Sequence, residues 1–250
     1  MERITYLYKK LRSYGPDSIV PLSAAGSNRQ YFRLSHGTET LIAVIGTSKE
    51  ENDAFVSLAN AFSTVGLPVP SVLAVSDDGM VYLQDDLGDQ SLYAAIAAGR
   101  ERGGAYSEEE MLLLRHTIRM LPQLQFAPVV HPSLRSIFSH CYPQQEMDSE
   151  SIMFDLNYFK YCFLKLRGIE FNEYRLQQDF EHLVADLLVE HDDTFLYRDF
   201  QSRNVMLKDG TPYFIDFQGG RRGPIYYDVA SFLWQSSAKF SDEVRNLLID

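Results

Sequence analysis

The sequence predicts an α+β fold of two lobes, an N-terminal antiparallel sheet with a packed helix followed by a mostly helical C-terminal lobe. Short apolar runs separated by turn residues fill the first 87 positions, which is the pattern of strands. From Ser91 onward, apolar residues recur mainly at helical spacing. Residues 84–88 are polar and end in glycine, as expected of a hinge. We therefore divide the chain into residues 1–87 and 88–250.

The N-terminal lobe is predicted to open with a helix, because apolar residues at helical spacing cover residues 4–11 and Gly15 and Pro16 follow them. A second helix, over residues 50–65, presents one apolar face to the sheet and ends before Gly66. The predicted strands are residues 19–22, 31–34, 41–45, 72–75 and 80–83.

The C-terminal lobe is predicted to consist of helices. Ser107 and Glu110 form a capping-box pattern at the start of a helix that runs toward Gln125. Prolines then interrupt the chain. Helical periodicity returns over residues 155–166, 176–189 and 241–248.

Composition excludes several classes of protein. The formal net charge is -11 and the isoelectric point is near 5.0, which argues against nucleic acid or an anionic membrane as the main partner. Cys141 and Cys162 have no metal-binding or disulfide spacing, which fits a reducing compartment. No segment approaches the roughly 20 apolar residues that span a bilayer. We expect a cytoplasmic protein that binds neither membrane nor nucleic acid; the oligomeric state stays open.

The candidate chemistry lies between Phe195 and Asp228. Asp199 and Asn204 follow a short apolar strand, and Asp216 follows another. Asp209 and Gly210 suit a tight hairpin turn between the strands, which would bring Asn204 and Asp216 together. An amide oxygen and a carboxylate are hard ligands that suit Mg²⁺, and Asp199 would point into the same space. This arrangement predicts phosphoryl transfer.

Each of these residues also has a plainer interpretation. An Asp and an Asn five positions apart occur often by chance, and Asp216 alone could be a turn residue. Asp228 could cap a helix that begins at Val229, and it could also steady the catalytic loop. The ordered set of motifs, with a hairpin between them, favours the phosphotransferase interpretation.

The segment from Tyr197 to Asn204 resembles the catalytic loop of protein kinases, and Asp216-Phe217-Gln218 stands where those enzymes carry Asp-Phe-Gly. Tyr197 in place of histidine and Gln218 in place of glycine make the pattern similar to the aminoglycoside phosphotransferase and choline kinase group. Residues 223–225 and Tyr227-Asp228 further resemble the bacterial anomeric sugar kinases that act on N-acetylmuramate and N-acetylglucosamine.

The resemblance implies a two-lobed protein-kinase-like fold that uses ATP and Mg²⁺. Asp199 would be the catalytic residue, and Asn204 and Asp216 would hold the metal. Backbone groups of Asp85 and Leu87 in the hinge would bind adenine, although this segment could be a simple loop. The small, polar loop after the first strand would cover the phosphates, although an ordinary hairpin turn is the alternative; its candidate residues are Gly26, Ser27, Asn28 and Arg29.

One departure concerns the third strand. Alignment on the kinase Val-Ala-Ile-Lys pattern places Ile45 where the phosphate-binding lysine is expected. Arg29, Arg33 or Lys49 could supply the missing charge. Four further arginines, which could hold phosphate or substrate or form surface ion pairs, crowd the catalytic segment: Arg198, Arg203, Arg221 and Arg222.

The expected activity is ATP-dependent phosphorylation of a small-molecule hydroxyl, which the resemblance narrows to the anomeric hydroxyl of an amino sugar in cell-wall recycling. An aminoglycoside, a choline-like alcohol or a protein is the alternative acceptor, and GTP the alternative donor. A nucleotide-binding regulator without transfer activity is the other alternative, because the strand lysine is missing. Members of the resembled family usually continue past the position of Asp250, so we expect a chain truncated on its substrate side.

Overall fold

A computed structural model of the chain describes residues 1–22, 28–188 and 193–249. Within these residues, the N-terminal part contains an antiparallel sheet of five strands in the order β1-β2-β3-β5-β4. The sequence predicted all of these strands, with ends that differ by up to two residues. The bounds are β1 Ser18–Leu22, β2 Gln30–His36, β3 Glu39–Ile45, β4 Val72–Val75 and β5 Val81–Asp85.

Two helices pack on this sheet, one on each face: α1 Glu2–Arg12 and α2 Lys49–Thr64. The face toward α1 contributes Leu41, Ala43 and Leu83 to one buried cluster. The opposite face contributes Ile42, Val44 and Tyr82, which join α2 and the core of the helical part. Because successive side chains of a strand alternate between faces, Ile45 lies on the α1 side, where it packs against the first cluster. The alignment that assigned the lysine position to Ile45 is therefore wrong, since Val44 is its neighbour on the face toward α2.

The segment after β5, which we define as residues 85–89 and which begins with the last residue of that strand, is held by hydrogen bonds to Ser71, just before β4, and to Arg33 of β2. The Ser71 amide donates to the Asp85 carboxylate at 3.0 Å, and the Asp85 amide donates to the Ser71 carbonyl at 3.1 Å. The Arg33 guanidinium, on β2, donates to both oxygens of Asp86 at 2.6 and 3.0 Å. It also donates to the carboxylate of Asp89 at 2.7 Å. Charge-assisted bonds of this kind fix the position of the segment where the sheet ends and the helices begin.

The rest of the chain is mainly helical, as predicted. Ser107 and Glu110 form the expected capping box, in which each side chain accepts a hydrogen bond from the backbone of the other. The helices are α3 Leu92–Ala95, α4 Ala97–Glu101, α5 Glu108–Gln125, α6 Ala127–Val130, α7 Ser149–Phe159, α8 Glu173–Leu187, α9 Ile225–Leu233 and α10 Asp242–Ile249. A π-helical segment, Lys160–Lys165, continues α7, where the sequence predicted a single helix. In the part of the chain that the structure describes, no helix is both long and apolar enough to cross a membrane.

Short strands carry the catalytic segment between these helices. They form two antiparallel pairs: β6 Phe195–Leu196 pairs with β9 Arg221–Arg222, and β7 Val205–Lys208 pairs with β8 Thr211–Phe214. Phe217 follows β8 and joins the sheet-bound helix to this segment, because its ring stacks on Phe55 of α2 at 5.0 Å and meets Phe62 edge-on at 5.8 Å. Packed aromatic pairs contribute beyond their buried area. The two parts of the fold thus share one core directly beneath the candidate site.

Candidate active site

The predicted hairpin is present and its turn has the predicted chemistry. Asp209 and Gly210 have φ angles of +52° and +76°, the left-handed values that a two-residue turn between antiparallel strands requires. At the open end of the hairpin, Val205 pairs with Phe214, and the Ile215 amide donates to the Asn204 carbonyl at 3.0 Å. Asn204 and Asp216 are therefore held at the same end of one rigid hairpin.

Asp199 lies directly beside Asn204. The Asn204 side-chain nitrogen donates to the backbone carbonyl of Asp199 at 2.9 Å and to its carboxylate at 3.0 Å. Gln201 donates to the other carboxylate oxygen at 2.8 Å. Burial, and then the neighbouring carboxylate of Asp216, raise the pKa of Asp199 above its usual value despite these bonds. A carboxylate that holds its proton more readily is suited to accept one from an alcohol.

The backbone of Asp216 adopts a φ angle of +64°, which is uncommon for a residue with a side chain. The buried ring of Phe217 anchors the chain on one side, and Gln218 donates to the Asp216 carboxylate at 2.7 Å on the other. Strained backbone of this kind persists where surrounding contacts over-determine it, and it is concentrated at functional sites.

Asp228 supports the catalytic loop from beneath and is fully buried. Its carboxylate accepts hydrogen bonds from the backbone amides of Tyr197 and Arg198 at 2.9 and 2.8 Å and from the Gln125 side chain at 3.0 Å. Burial raises the pKa of Asp228 to about 6. Its predicted role as a helix cap is wrong, because α9 begins at Ile225 and Asp228 lies within its first turns. The predicted steadying of the catalytic loop is what the side chain does.

We predict that Asp228→Ala destabilises the protein by about 2 to 4 kcal/mol, because the backbone amides of Tyr197 and Arg198 lose their acceptor and Gln125 keeps only the Ile225 carbonyl. Denaturant unfolding of the variant and the wild type gives this difference in free energy. Asp179→Ala, a change of the same kind at an exposed position of α8, is the control and should be near neutral. Equal stability of the two variants would contradict the supporting role.

Tyr197 was noted in the sequence only as a replacement for histidine, and its role required the structure. The side chain is completely buried, and its hydroxyl, which has one proton to donate, lies within hydrogen-bond distance of the carbonyls of Asn204, at 3.2 Å, and Ile215. One hydroxyl thereby links the catalytic loop to both strands of the hairpin. Gln125, on α5, was also missed, since its contact with Asp228 spans a hundred residues of chain.

The four arginines near the site have separate environments. Arg198 pairs with Asp155 at 2.9 Å, and Arg222 lies 3.9 Å from Glu146, so the prediction that at least two form ion pairs is confirmed. Arg221 is buried and donates to the side chains of Gln144 and Ser151. The guanidinium of Arg203 lies 4.3 Å from the centre of the Tyr93 ring, and Arg203 lines a cavity beside the catalytic loop.

A cavity of about 760 Å³ extends from the segment after β5 to the catalytic loop. Asp85 and Leu87 line one end, and Asp199, Asn204 and Asp216 line the other. Arg29 lines it as well, whereas Asn28 is exposed and is not among the described lining residues; Gly26 and Ser27 lie outside the described residues. Apolar and aromatic side chains that the sequence did not single out form its walls, among them Tyr31, Ile42, Tyr82, Met206 and Ile215.

The donors at the catalytic end fit a magnesium ion. The side-chain nitrogen of Asn204 donates a hydrogen bond to Asp199, so the side-chain oxygen of Asn204 points away from Asp199. Asp216 adds two carboxylate oxygens, of which one accepts a bond from Gln218. Within residues 1–22, 28–188 and 193–249, no cluster of three or more His, Cys, Asp or Glu side chains is placed to hold a metal. An amide with one or two carboxylates is nevertheless the usual protein share of a magnesium site completed by phosphates and water.

Comparison with known proteins gives consistent matches. Over its full length, the chain is 29% identical to an N-acetylmuramate/N-acetylglucosamine kinase of Neisseria meningitidis serogroup B, of which it spans 72%. An enzyme of the same name from Pseudomonas aeruginosa is 25% identical over 86% of the chain, which spans only 59% of that relative. The crystal structure of an aminoglycoside-3'-phosphotransferase of type VIII is similar to the chain, with a TM-score of 0.59 and 15% identity. The match covers the whole of this chain and 90% of the other.

The solved structure confirms the predicted two-part, protein-kinase-like fold. Because its sequence identity to the chain is low, it is evidence for the fold alone. The two kinase relatives agree with the predicted class of enzyme, a small-molecule kinase. A family model described as "APH: Phosphotransferase enzyme family" matches residues 18–250, which is nearly the whole chain. The chain therefore belongs to the APH phosphotransferase family.

Proposed function

We propose that this chain is an ATP- and Mg²⁺-dependent kinase that phosphorylates the anomeric hydroxyl of an amino sugar. The observation that carries the proposal is the cavity, which joins the segment after β5 to the three side chains Asp199, Asn204 and Asp216. A cavity with one largely apolar end and a few convergent polar groups at the other is typical of a ligand site.

The nucleotide would lie along this cavity, with residues 1–87 as the nucleotide-binding lobe and residues 88–250 as the lobe that carries the catalytic loop. Its adenine ring would lie between the apolar walls contributed by Ile42 and Met206, next to backbone groups of Asp85 and Leu87. The Asp85 amide already donates a hydrogen bond to the Ser71 carbonyl, so the other backbone groups of the segment would contact adenine. The phosphates would then extend toward Asp216.

Asp199 is the residue that would position the acceptor. Asp199 would accept a hydrogen bond from the acceptor hydroxyl and then its proton, as the oxygen bonds to the terminal phosphorus and the bond to the departing ADP oxygen breaks. Asn204 and Gln201 hold the Asp199 carboxylate in place for this step. Asn204 and Asp216 would hold magnesium, which neutralises charge on the phosphoryl group when bound. Arg203, Ser236 and Ser237 line the same cavity and are candidates for contact with the acceptor.

The two kinase relatives support the choice of acceptor, since both are named for N-acetylmuramate and N-acetylglucosamine. The chain spans 72% and 59% of the lengths of these relatives. The proposed acceptor therefore refers to the site formed by the residues of this chain. The structure itself favours no aminoglycoside or choline-like acceptor over a sugar.

An ADP-release screen tests the proposal. With ATP and Mg²⁺, we expect ADP formation with N-acetylmuramate or N-acetylglucosamine and none with an aminoglycoside or choline. The methyl glycoside of N-acetylglucosamine is the matched control, because its anomeric oxygen is blocked, and we expect no ADP from it. ADP formed equally well with the methyl glycoside would exclude the anomeric position, and nucleotide binding without ADP on any acceptor would favour a regulator.

A further inference from the structure

The sheet of this protein presents no cation from its third strand to the cavity. Val44 is the β3 residue whose register partners are Tyr31 on β2 and Tyr82 on β5, and both of these tyrosines line the cavity. Side chains paired directly across neighbouring strands lie on the same face. On the cavity side of β3, the residue between these two tyrosines is therefore Val44, which is buried and carries no charge.

We propose that Arg29, held by Glu51 of α2, binds the nucleotide phosphates in place of a lysine on β3. This inference rests on the proposed use of the cavity for a nucleotide. Arg29 comes just before β2, two residues ahead of Tyr31, so its side chain shares the cavity-facing side of that strand. It is 5% exposed and lines the cavity.

Glu51 holds the charge of Arg29 at the wall of the cavity. Its guanidinium lies 3.4 Å from the carboxylate of Glu51. Burial alone would lower its pKa, but the nearby Tyr82, Tyr31, Asp216 and Glu51 raise it on balance. Arg29 and Asp216, the residue expected to hold the metal, line the same cavity. A planar guanidinium carries five N–H donors in a fixed fork that matches the geometry of phosphate oxygens.

The other two candidate cations are committed elsewhere. Arg33 shares the face of Arg29 but lies in the middle of β2, where Asp86 and Asp89 hold it. Lys49 is exposed on α2 and pairs with Asp53. Among the described residues that line the cavity, the cations are Arg29 and Arg203, and Arg203 belongs to the catalytic-loop side.

Glu51 is well placed to hold the arginine because the start of α2 is fixed. The Ser48 side chain accepts a hydrogen bond from the Glu51 amide at 3.2 Å and caps the helix. Asn52, completely buried, donates to the Gly79 carbonyl at 2.9 Å. Gly46 lies so close to Asn52 that an added Cβ would come within 2.1 Å of its side chain. The loop and the first turn of α2 are thus packed into one arrangement.

Calorimetric binding of ADP and adenosine tests this assignment without requiring phosphate transfer. We expect Arg29→Met to weaken ADP binding about ten- to a hundredfold, the usual effect of hydrogen bonds to charged groups, and to leave adenosine binding unchanged. Arg29→Lys should retain part of the ADP affinity. Lys49→Met, the matched control, should bind both ligands as the wild type does.

The outcomes separate this inference from the proposed function. If the wild type binds neither ADP nor adenosine, the proposed function fails. If the wild type binds both and Arg29→Met keeps the wild-type ADP affinity, or loses adenosine to the same extent, the role of Arg29 is excluded. Should Arg29→Met not fold, Arg29→Gln, which keeps a polar side chain, is judged by the same two affinities.

A double-mutant cycle tests the positioning role of Glu51. Glu51→Gln should weaken ADP binding several-fold when Arg29 is present and should have no further effect in the Arg29→Met background, since its influence passes through the arginine. An equal loss of ADP affinity in both backgrounds would show that Glu51 does not act by holding Arg29.

Discussion

Asp199→Asn is expected to lower the turnover number by about 10²- to 10⁴-fold, the usual contribution of a positioned acid or base group. The change preserves the shape of the side chain and one oxygen that can accept the bond from Asn204 or Gln201. It removes the carboxylate that would take the proton of the acceptor hydroxyl. Because Asp199 is expected to contact the acceptor rather than adenine, the dissociation constant for ADP should change little.

Steady-state ADP release and calorimetric ADP binding, measured on the same preparations, check this result. Asp209→Asn is the matched control, since Asp209 is exposed in the hairpin turn and asparagine suits the same positive φ angle. The control should retain wild-type turnover. Wild-type turnover in Asp199→Asn would remove Asp199 from the mechanism, and a loss of ADP binding would point to a structural role.

Asp216→Asn is expected to lower turnover by about 10²- to 10³-fold, comparable to removal of one preorganised electrostatic partner of a transition state. The stronger signature is the response to metal. In the wild type, Mg²⁺ should tighten ATP binding, and EDTA should abolish turnover. In the variant, we expect ATP binding that hardly depends on Mg²⁺, because a neutral amide replaces the carboxylate ligand.

A magnesium titration of ATP affinity measures this effect in both proteins, with Asp209→Asn again as the control of matched charge. The assignment of Asp216 as a metal ligand would be wrong if Asp216→Asn kept the wild-type dependence of ATP affinity on Mg²⁺. Arg29→Met should differ from Asp216→Asn here, since it is expected to weaken ADP binding even without metal.

The parts of the site that could be predicted from the sequence are those that depend on local chain geometry. Asp209 and Gly210 determine the hairpin turn, and a two-residue turn fixes the register that brings Asn204 and Asp216 to the same end. Asp199 is only five residues from Asn204, so its position follows from the same short loop. The catalytic and metal-binding roles of Asp199, Asn204 and Asp216 remain predictions, whereas the proximity of the three residues is a property of the fold.

The parts that could not be predicted depend on contacts between distant segments. The role of Asp228 required the start of α9, which lies four residues earlier than the apolar pattern predicted. Gln125 reaches Asp228 from another helix, and the Tyr197 hydroxyl reaches two carbonyls of the hairpin. No spacing in the sequence signals such contacts.

The missing lysine shows the same limit more sharply. An alignment offset of one residue on β3 moved the assignment from the cavity face to the face toward α1, because neighbouring strand residues point in opposite directions. The choice among Arg29, Arg33 and Lys49 then depended on their acidic partners. Those partners lie on α2 or on the segment after β5, and the sequence alone did not pair them.

We expect one divalent ion to bind between the Asn204 amide oxygen and the Asp216 carboxylate, beside Asp199. The most direct test is anomalous diffraction from crystals grown with Mn²⁺ and ADP. We expect a manganese peak within bonding distance of both side chains and of a phosphate oxygen, in the cavity that Asp199 lines. A nucleotide bound in that cavity with its manganese held by other residues, or with none at this position, would contradict it.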